Sequence, residues 1–114
     1  MLDPDPVFRA LADGTRRHAL LLLRHEGRLC VCEIVHALAG PQARVSRHLA
    51  QLRDLGMVRD ERHGQWVHYR LHPELPAWVL AVLDAAAEAE TGAVETARAR
   101  LSRMPERPPA VAAS

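Results

Sequence analysis

From Val31 onward the apolar positions Val31, Ile34, Val35 and Leu38 fall at i, i+3, i+4 and i+7, the spacing of one helix face. A break at Ala39-Gly40-Pro41 follows. Gln42–Leu55 then resumes a helical period, with Val45, Leu49 and Leu52 inward and Gln42, Arg44, Ser46, Arg47, His48 and Gln51 left for the polar side. Two short helices joined by a tight Gly-containing turn predict a helix-turn-helix. Its second helix carries donors of the kind that reach base edges and phosphates.

The pattern on either side completes the unit. Asp3-Pro4-Asp5-Pro6 supplies helix-starting residues, and Val7, Phe8, Leu11 and Ala12 line one face of a first helix that ends at Asp13-Gly14. Thr15 is placed to cap a second helix through His25. Its Ala19 and Leu20–Leu23 are apolar nearly all round, as in a central buried helix, and Gly27 closes it. Downstream, Gly56 ends the reading helix and Met57-Val58 starts a strand. Arg59–Leu71 reads as a hairpin with its turn at His63-Gly64. Gln65, Val67, Tyr69 and Leu71 fall on one face and Trp66, His68 and Arg70 on the other. Such a hairpin is a wing, and its tip offers Arg62, His63 and Gln65 to a phosphate or minor groove.

Pro73 and Pro76 open a last major helix with an apolar stripe of Leu75, Trp78, Val79, Val82, Leu83 and Ala86. On a domain this small the stripe needs a partner surface, which predicts a homodimer formed through the first and last helices. Residues 93–104 add a helical turn or two, and Pro105–Ser114 reads as a disordered tail. The expected fold is mainly α with a small β-hairpin wing, a winged helix-turn-helix. Residues 1–92 form the DNA-binding and dimerisation domain, and 93–114 are a partly helical C-terminal extension.

Composition sharpens this picture. With 114 residues and 48% apolar content the chain supports one modest core. Its formal net charge is only +1, so the local distribution has to speak for nucleic acid. Between Gln42 and Arg70 six arginines face three acids, and all fifteen cations of the chain are arginine. No apolar run approaches the roughly 18 residues of a membrane span, and the N-terminus is acidic where a signal peptide is basic. The expectation is a cytoplasmic protein with no membrane contact. Paired carboxylates, a nucleophile–base arrangement and a Gly-rich phosphate loop are all missing, so neither an enzyme nor an organic cofactor is expected.

The chemistry then rests on Cys30-Val31-Cys32. A disulfide between them would close a tiny loop and staple nothing, which leaves both thiols for chemistry. At a helix start beside Arg28 the dipole and the cation should favour the thiolate. Residues i and i+2 of a regular helix lie about 200° apart, so one ion can engage both sulfurs only if the helix start is non-helical. Six of the seven histidines show no ligand-like spacing. His36, four residues after Cys32, is the auxiliary candidate. Two other readings of the thiols stand beside ion binding: a redox or persulfide sensor of the same fold, and a small thiol carrier with no affinity for DNA.

Four segments together resemble the ArsR/SmtB family of winged-helix metal-responsive repressors. They are Leu11-Ala12-Asp13-Gly14-Thr15-Arg16-Arg17, Leu29-Cys30-Val31-Cys32-Glu33, Val45-Ser46-Arg47-His48-Leu49 with Leu52-Arg53 and Gly56, and Trp66–Leu71. The resemblance implies a dimeric repressor on double-stranded operator DNA, released when a soft ion binds Cys30 and Cys32. It places DNA contacts on Gln42, Arg44, Ser46, Arg47, His48 and Gln51 and on Arg62 and His63 of the wing. Three departures narrow the ion. The position of a third cysteine in arsenite-responsive members is Val35. Met1–Arg9 lacks the cysteines of cadmium/lead sensors, and Leu75–Glu90 lacks the histidines of zinc sensors. These departures leave a ligand satisfied by two thiolates plus something else, and the resemblance implies trivalent arsenic, as arsenite or methylarsenite, as that inducer.

Overall fold

The computed structural model describes residues 2–110. Two helices open the chain, α1 (Pro4–Ala12) and α2 (Gly14–Glu26), followed by β1 (Arg28–Cys30), α3 (Val31–Leu38) and α4 (Gln42–Leu55). Strands β2 (Val58–His63) and β3 (Trp66–Leu71) come next, then α5 (Ala77–Ala89) and α6 (Thr91–Ser102). The mainly helical fold with a small wing is as expected from the pattern. The wing is a three-stranded antiparallel sheet in the order β1-β3-β2, because three residues ahead of α3 pair with β3. A three-residue strand bearing a cysteine has too little alternation to be read from sequence.

Helix α2 is the hub. Leu20, Leu21, Leu22 and Leu23 are all essentially inaccessible, and α1, α4, α5, α6 and the sheet pack around them. Truncating one such leucine to alanine costs about 2–5 kcal/mol through lost transfer energy and the cavity left behind. The cap of α2 differs from expectation. Asp13, not Thr15, is the N-cap, and its carboxylate accepts the Arg16 N–H at 3.0 Å. The connection from α1 is a single residue, so the acid ending one helix also begins the next.

The turn between α3 and α4 holds Ala39 in the left-handed region at φ 52°. At Gly40 a Cβ would lie 3.1 Å from Val45 Cγ2, so a side chain there would press on a core residue of the reading helix. In the hairpin, His63 pairs with Trp66 across a two-residue Gly64-Gln65 loop, one step later than the expected His63-Gly64 turn. Gly64 supplies the positive φ of 63° that such a loop requires.

The C-terminal part is more ordered than its composition implied. Helix α6 runs for 12 residues, buries Ala97 and Leu101, and packs on α3 and α2. Beyond it, the expected disordered tail is instead placed as far as Ala110. Arg107 reaches Glu33, and Pro108 is buried. The expectation for residues 111–114 lies outside the described residues. No described helix is long and apolar enough to cross a membrane.

Candidate functional site

Cys30 is the last residue of β1 and the N-cap of α3, with extended backbone at φ −66° and ψ 150°. Cys32 is the second residue of that helix. This break in conformation cancels the opposed directions of i and i+2 on a helix and brings the two sulfurs to 2.8 Å from each other, both as free thiols. The non-helical start that joint binding of both sulfurs was expected to require is present without any ion. Glu33 holds it in place, its Oε1 accepting the Cys30 N–H at 2.8 Å as a capping acid.

The electrostatics run against the expected thiolate. Burial pushes the Cys32 thiol up to about 12, and the hydrogen bond and charge of Cys30 and the charge of Glu33 add to this. Arg28 is turned toward Glu61 at 3.4 Å. Burial beside a carboxylate outweighs a short helix's dipole, so the Cys32 site holds a proton at neutral pH. His36 is exposed on α3, and no group of three His, Cys, Asp or Glu side chains arranged to hold a metal occurs among the described residues.

Glu33 also leads outward. It is 6% exposed, and its Oε2 accepts the Arg107 Nε at 2.6 Å, tying the C-terminal segment to the thiol site. His68 lies directly opposite Cys30 in the β1–β3 register and is 3% exposed, with no partner for its Nδ1. Sequence reading missed Glu33 as a capping acid, His68 and Arg107. Glu33 was visible as the N3 acid of a capping box, whereas the other two come together only through sheet pairing and the fold-back of the tail.

The candidate DNA-reading residues divide into two groups. Gln42, Arg44 and Arg47 are exposed on α4 and their side chains form no hydrogen bond or ion pair among the described residues, as is also true of the Arg62 side chain on the wing. Ser46 is half-buried on the same helix. His48 and Gln51 are engaged internally. His48 Nδ1 lies 3.1 Å from Gln51 Oε1, which also accepts Arg16 Nη1 at 3.1 Å, and His48 Nε2 lies 3.8 Å from Asp13. Arg16 further donates to the Ala10 and Arg9 carbonyls, so this cluster braces α4 against the α1–α2 corner. His63 turns inward, its ring edge-on to His68 with centroids 5.1 Å apart and its Nε2 3.4 Å from Glu61.

Residues 13–60 match the family described as bacterial regulatory protein, arsR family. The chain is 51% identical over 108 residues to the arsenic resistance transcriptional regulator ArsR1 of Pseudomonas putida strain KT2440, covering 95% of this chain and 84% of that one. It is 44% identical over 101 residues to the arsenical resistance operon repressor of Escherichia coli K12, covering 89% and 86%. Among solved structures, the AntR antimony-specific transcriptional repressor superposes with a TM-score of 0.64 at 30% identity, covering 78% of each chain.

Proposed function

Because the chain belongs to the ArsR/SmtB family of bacterial regulatory proteins, we propose that it is a cytoplasmic, homodimeric transcriptional repressor that leaves its operator when trivalent arsenic bridges Cys30 and Cys32. The observation that carries this reading is the pair of free cysteine sulfurs 2.8 Å apart at the start of the helix that supports α4.

The proton held by Cys32 selects the ligand. Arsenite, As(OH)3, condenses with two thiols to form two As–S bonds and release two waters, with no net proton change. Methylarsenite, CH3As(OH)2, does the same. A divalent cation must expel the Cys32 proton to gain that thiolate, and a Cys32 thiol at about 12 penalises that at neutral pH. Softness favours sulfur in both cases, so the proton balance discriminates. A redox-sensing role calls for a readily ionised thiol, and Cys32 is shifted the opposite way.

Binding acts on DNA through packing. Helix α3 lies between the thiols and α4, and its Ile34 and Ala37 share the core with Val45, Leu49 and Leu52 of the reading helix. A metalloid that resets the first turn of α3 shifts the platform under Gln42, Arg44 and Arg47. The operator complex is to be titrated with arsenite, methylarsenite, cadmium, zinc and an oxidant in turn, following release by anisotropy. Cys30→Ser and Cys32→Ser are expected to bind the operator normally and to remain bound under both arsenicals. Loss of operator binding in the serine variants without any inducer would make the thiols structural and end the proposal.

A further inference from the structure

Beside the thiol pair lies a cavity of about 330 Å³ walled by Arg28, Glu33, His68 and Arg107 and by the Pro108–Ala110 segment. Its contents are polar and partly unsatisfied. His68 is 3% exposed with an unpartnered Nδ1, and Arg107 spends only its Nε on Glu33, with no other partner among the described residues. A buried ring nitrogen without a partner leaves a hydrogen-bonding position that a ligand group can fill. The cavity also adjoins the chemistry. His68 is directly opposite Cys30 across β1 and β3, so the two side chains share one sheet face at the roughly 5 Å spacing of such pairs. Glu33, a wall of the cavity, bonds the Cys30 N–H.

Resting on the arsenical reading above, we propose that this cavity binds a small carboxylate-bearing thiol that supplies the third sulfur to arsenite held by Cys30 and Cys32. Trivalent arsenic takes three ligands in a pyramid, and the chain offers two sulfurs, with no third ligating side chain gathered beside them among the described residues. After the two protein thiols have condensed, the arsenic keeps one hydroxyl. The incoming thiol forms the third As–S bond, its proton leaves with that hydroxyl as water, and no oxidant or reductant takes part. The thiol's carboxylate is received by the free guanidinium nitrogens of Arg107 and by the Nδ1 of His68 in its donor tautomer. Methylarsenite has a carbon in the third position, so it has no use for the site.

That difference provides the internal control. Operator release is titrated with arsenite and with methylarsenite in the presence of equal concentrations of cysteine, which has a carboxylate, or 2-mercaptoethanol, which has none. Cysteine is expected to lower the arsenite concentration at half-release by about tenfold relative to 2-mercaptoethanol, the worth of one charge-assisted hydrogen bond. The ratio for methylarsenite is expected to stay near one. In Arg107→Ala the cysteine advantage for arsenite should vanish, and in Arg107→Lys part of it should return. Native mass spectrometry should show one As(OH)3 and one cysteine added to the protomer with loss of three waters. Equal effects of the two thiols on arsenite, a cysteine advantage that survives in Arg107→Ala, or the same advantage with methylarsenite would each overturn the proposal. Absence of release by both arsenicals, with either thiol, would instead overturn the arsenical reading, and this subsite with it.

Discussion

At the scale of single residues, Cys32 shows how a short sequence motif is retuned by its surroundings. A helix start and a nearby arginine promise a low thiol pKa, yet burial, the neighbouring Cys30 sulfur and the Glu33 carboxylate together push it up to about 12. Burial removes the water that stabilises a thiolate, and the carboxylate repels it, so both act in one direction. The consequence is measurable. Alkylation of Cys32 by iodoacetamide, followed peptide by peptide, is expected to be slow at pH 7 and to rise about tenfold per pH unit, still climbing at pH 10. A profile that levels off near pH 8 would contradict it. Arsenical binding, which involves no net proton, should be nearly flat between pH 6 and 8. The position of the pair was legible from Cys-x-Cys at a helical boundary. Its proton affinity was not, because that depends first on how far the fold buries Cys32 and then on the Cys30 sulfur beside it.

The other residue-scale division lies on the reading surface. Arg47 and Arg62 have no internal partner among the described residues, one on α4 and the other on the wing. If Arg62 meets phosphate, Arg62→Ala weakens binding to all DNA about equally and lowers the salt slope by about one unit. Arg47→Ala should instead change preference among operator variants by about 1–3 kcal/mol, the value of a lost base contact. Affinity titrations at several salt concentrations on matched and mutated operators separate the two. Indistinguishable behaviour of the variants would mean the reading face is assigned to the wrong side. His48 and Gln51 carry the same polar chemistry in sequence, and their use in bracing α4 became visible only with Arg16 and Asp13 in place.

Among elements, the joint between α5 and α6 is fixed by one acid. Glu90 receives Arg17 Nε at 2.7 Å and Nη2 at 3.1 Å, and His18 Nε2 lies 3.0 Å away, tying the joint to the start of α2. The Arg17 hydrogen bond, with His18 next, holds its carboxyl down at about 2. A carboxyl bound more weakly by protons when folded stabilises the fold above its ordinary value of 4.5 and loses that contribution as pH falls toward about 2. Glu90→Gln is therefore expected to cost about 1–2 kcal/mol at pH 7, as for a partly exposed charge-assisted pair. The cost should fade on acidification and be gone by about pH 2. Urea unfolding of both proteins across that range is the check, and a cost independent of pH would mean that shape, not charge, holds the joint. The all-round apolar run of α2 and the apolar face of α4 made both helices legible, α4 to both its ends. Helix α6 was underread because its Ala-rich sequence carries little amphipathic contrast, and its anchoring Leu101 makes sense only against α3 and α2.

For the whole molecule, the remaining question is what covers the face made by α1 and α5. Phe8 on α1 is 51% exposed, the one large hydrophobic side chain so exposed among the described residues, and its ring lies 6.3 Å from that of Trp78 on α5. Trp78, Val82 and Ala86 remain only partly buried along the same helix. An aromatic pair standing at the edge of an apolar stripe has the composition of an interface centre. A two-fold axis would place each Phe8 against the stripe of the other copy, and the paired α4 helices would then address an inverted repeat in successive major grooves. Phe8→Asp tests this without touching the core, since the side chain is half in solvent. The variant is expected to keep its thermal unfolding within a few degrees of the parent protomer's, to sediment as a monomer at micromolar concentration, and to bind a full inverted repeat no more tightly than an isolated half-site. A parent protein that is itself monomeric, or a Phe8→Asp variant that remains a dimer with full operator affinity, would place the interface on another face of the molecule.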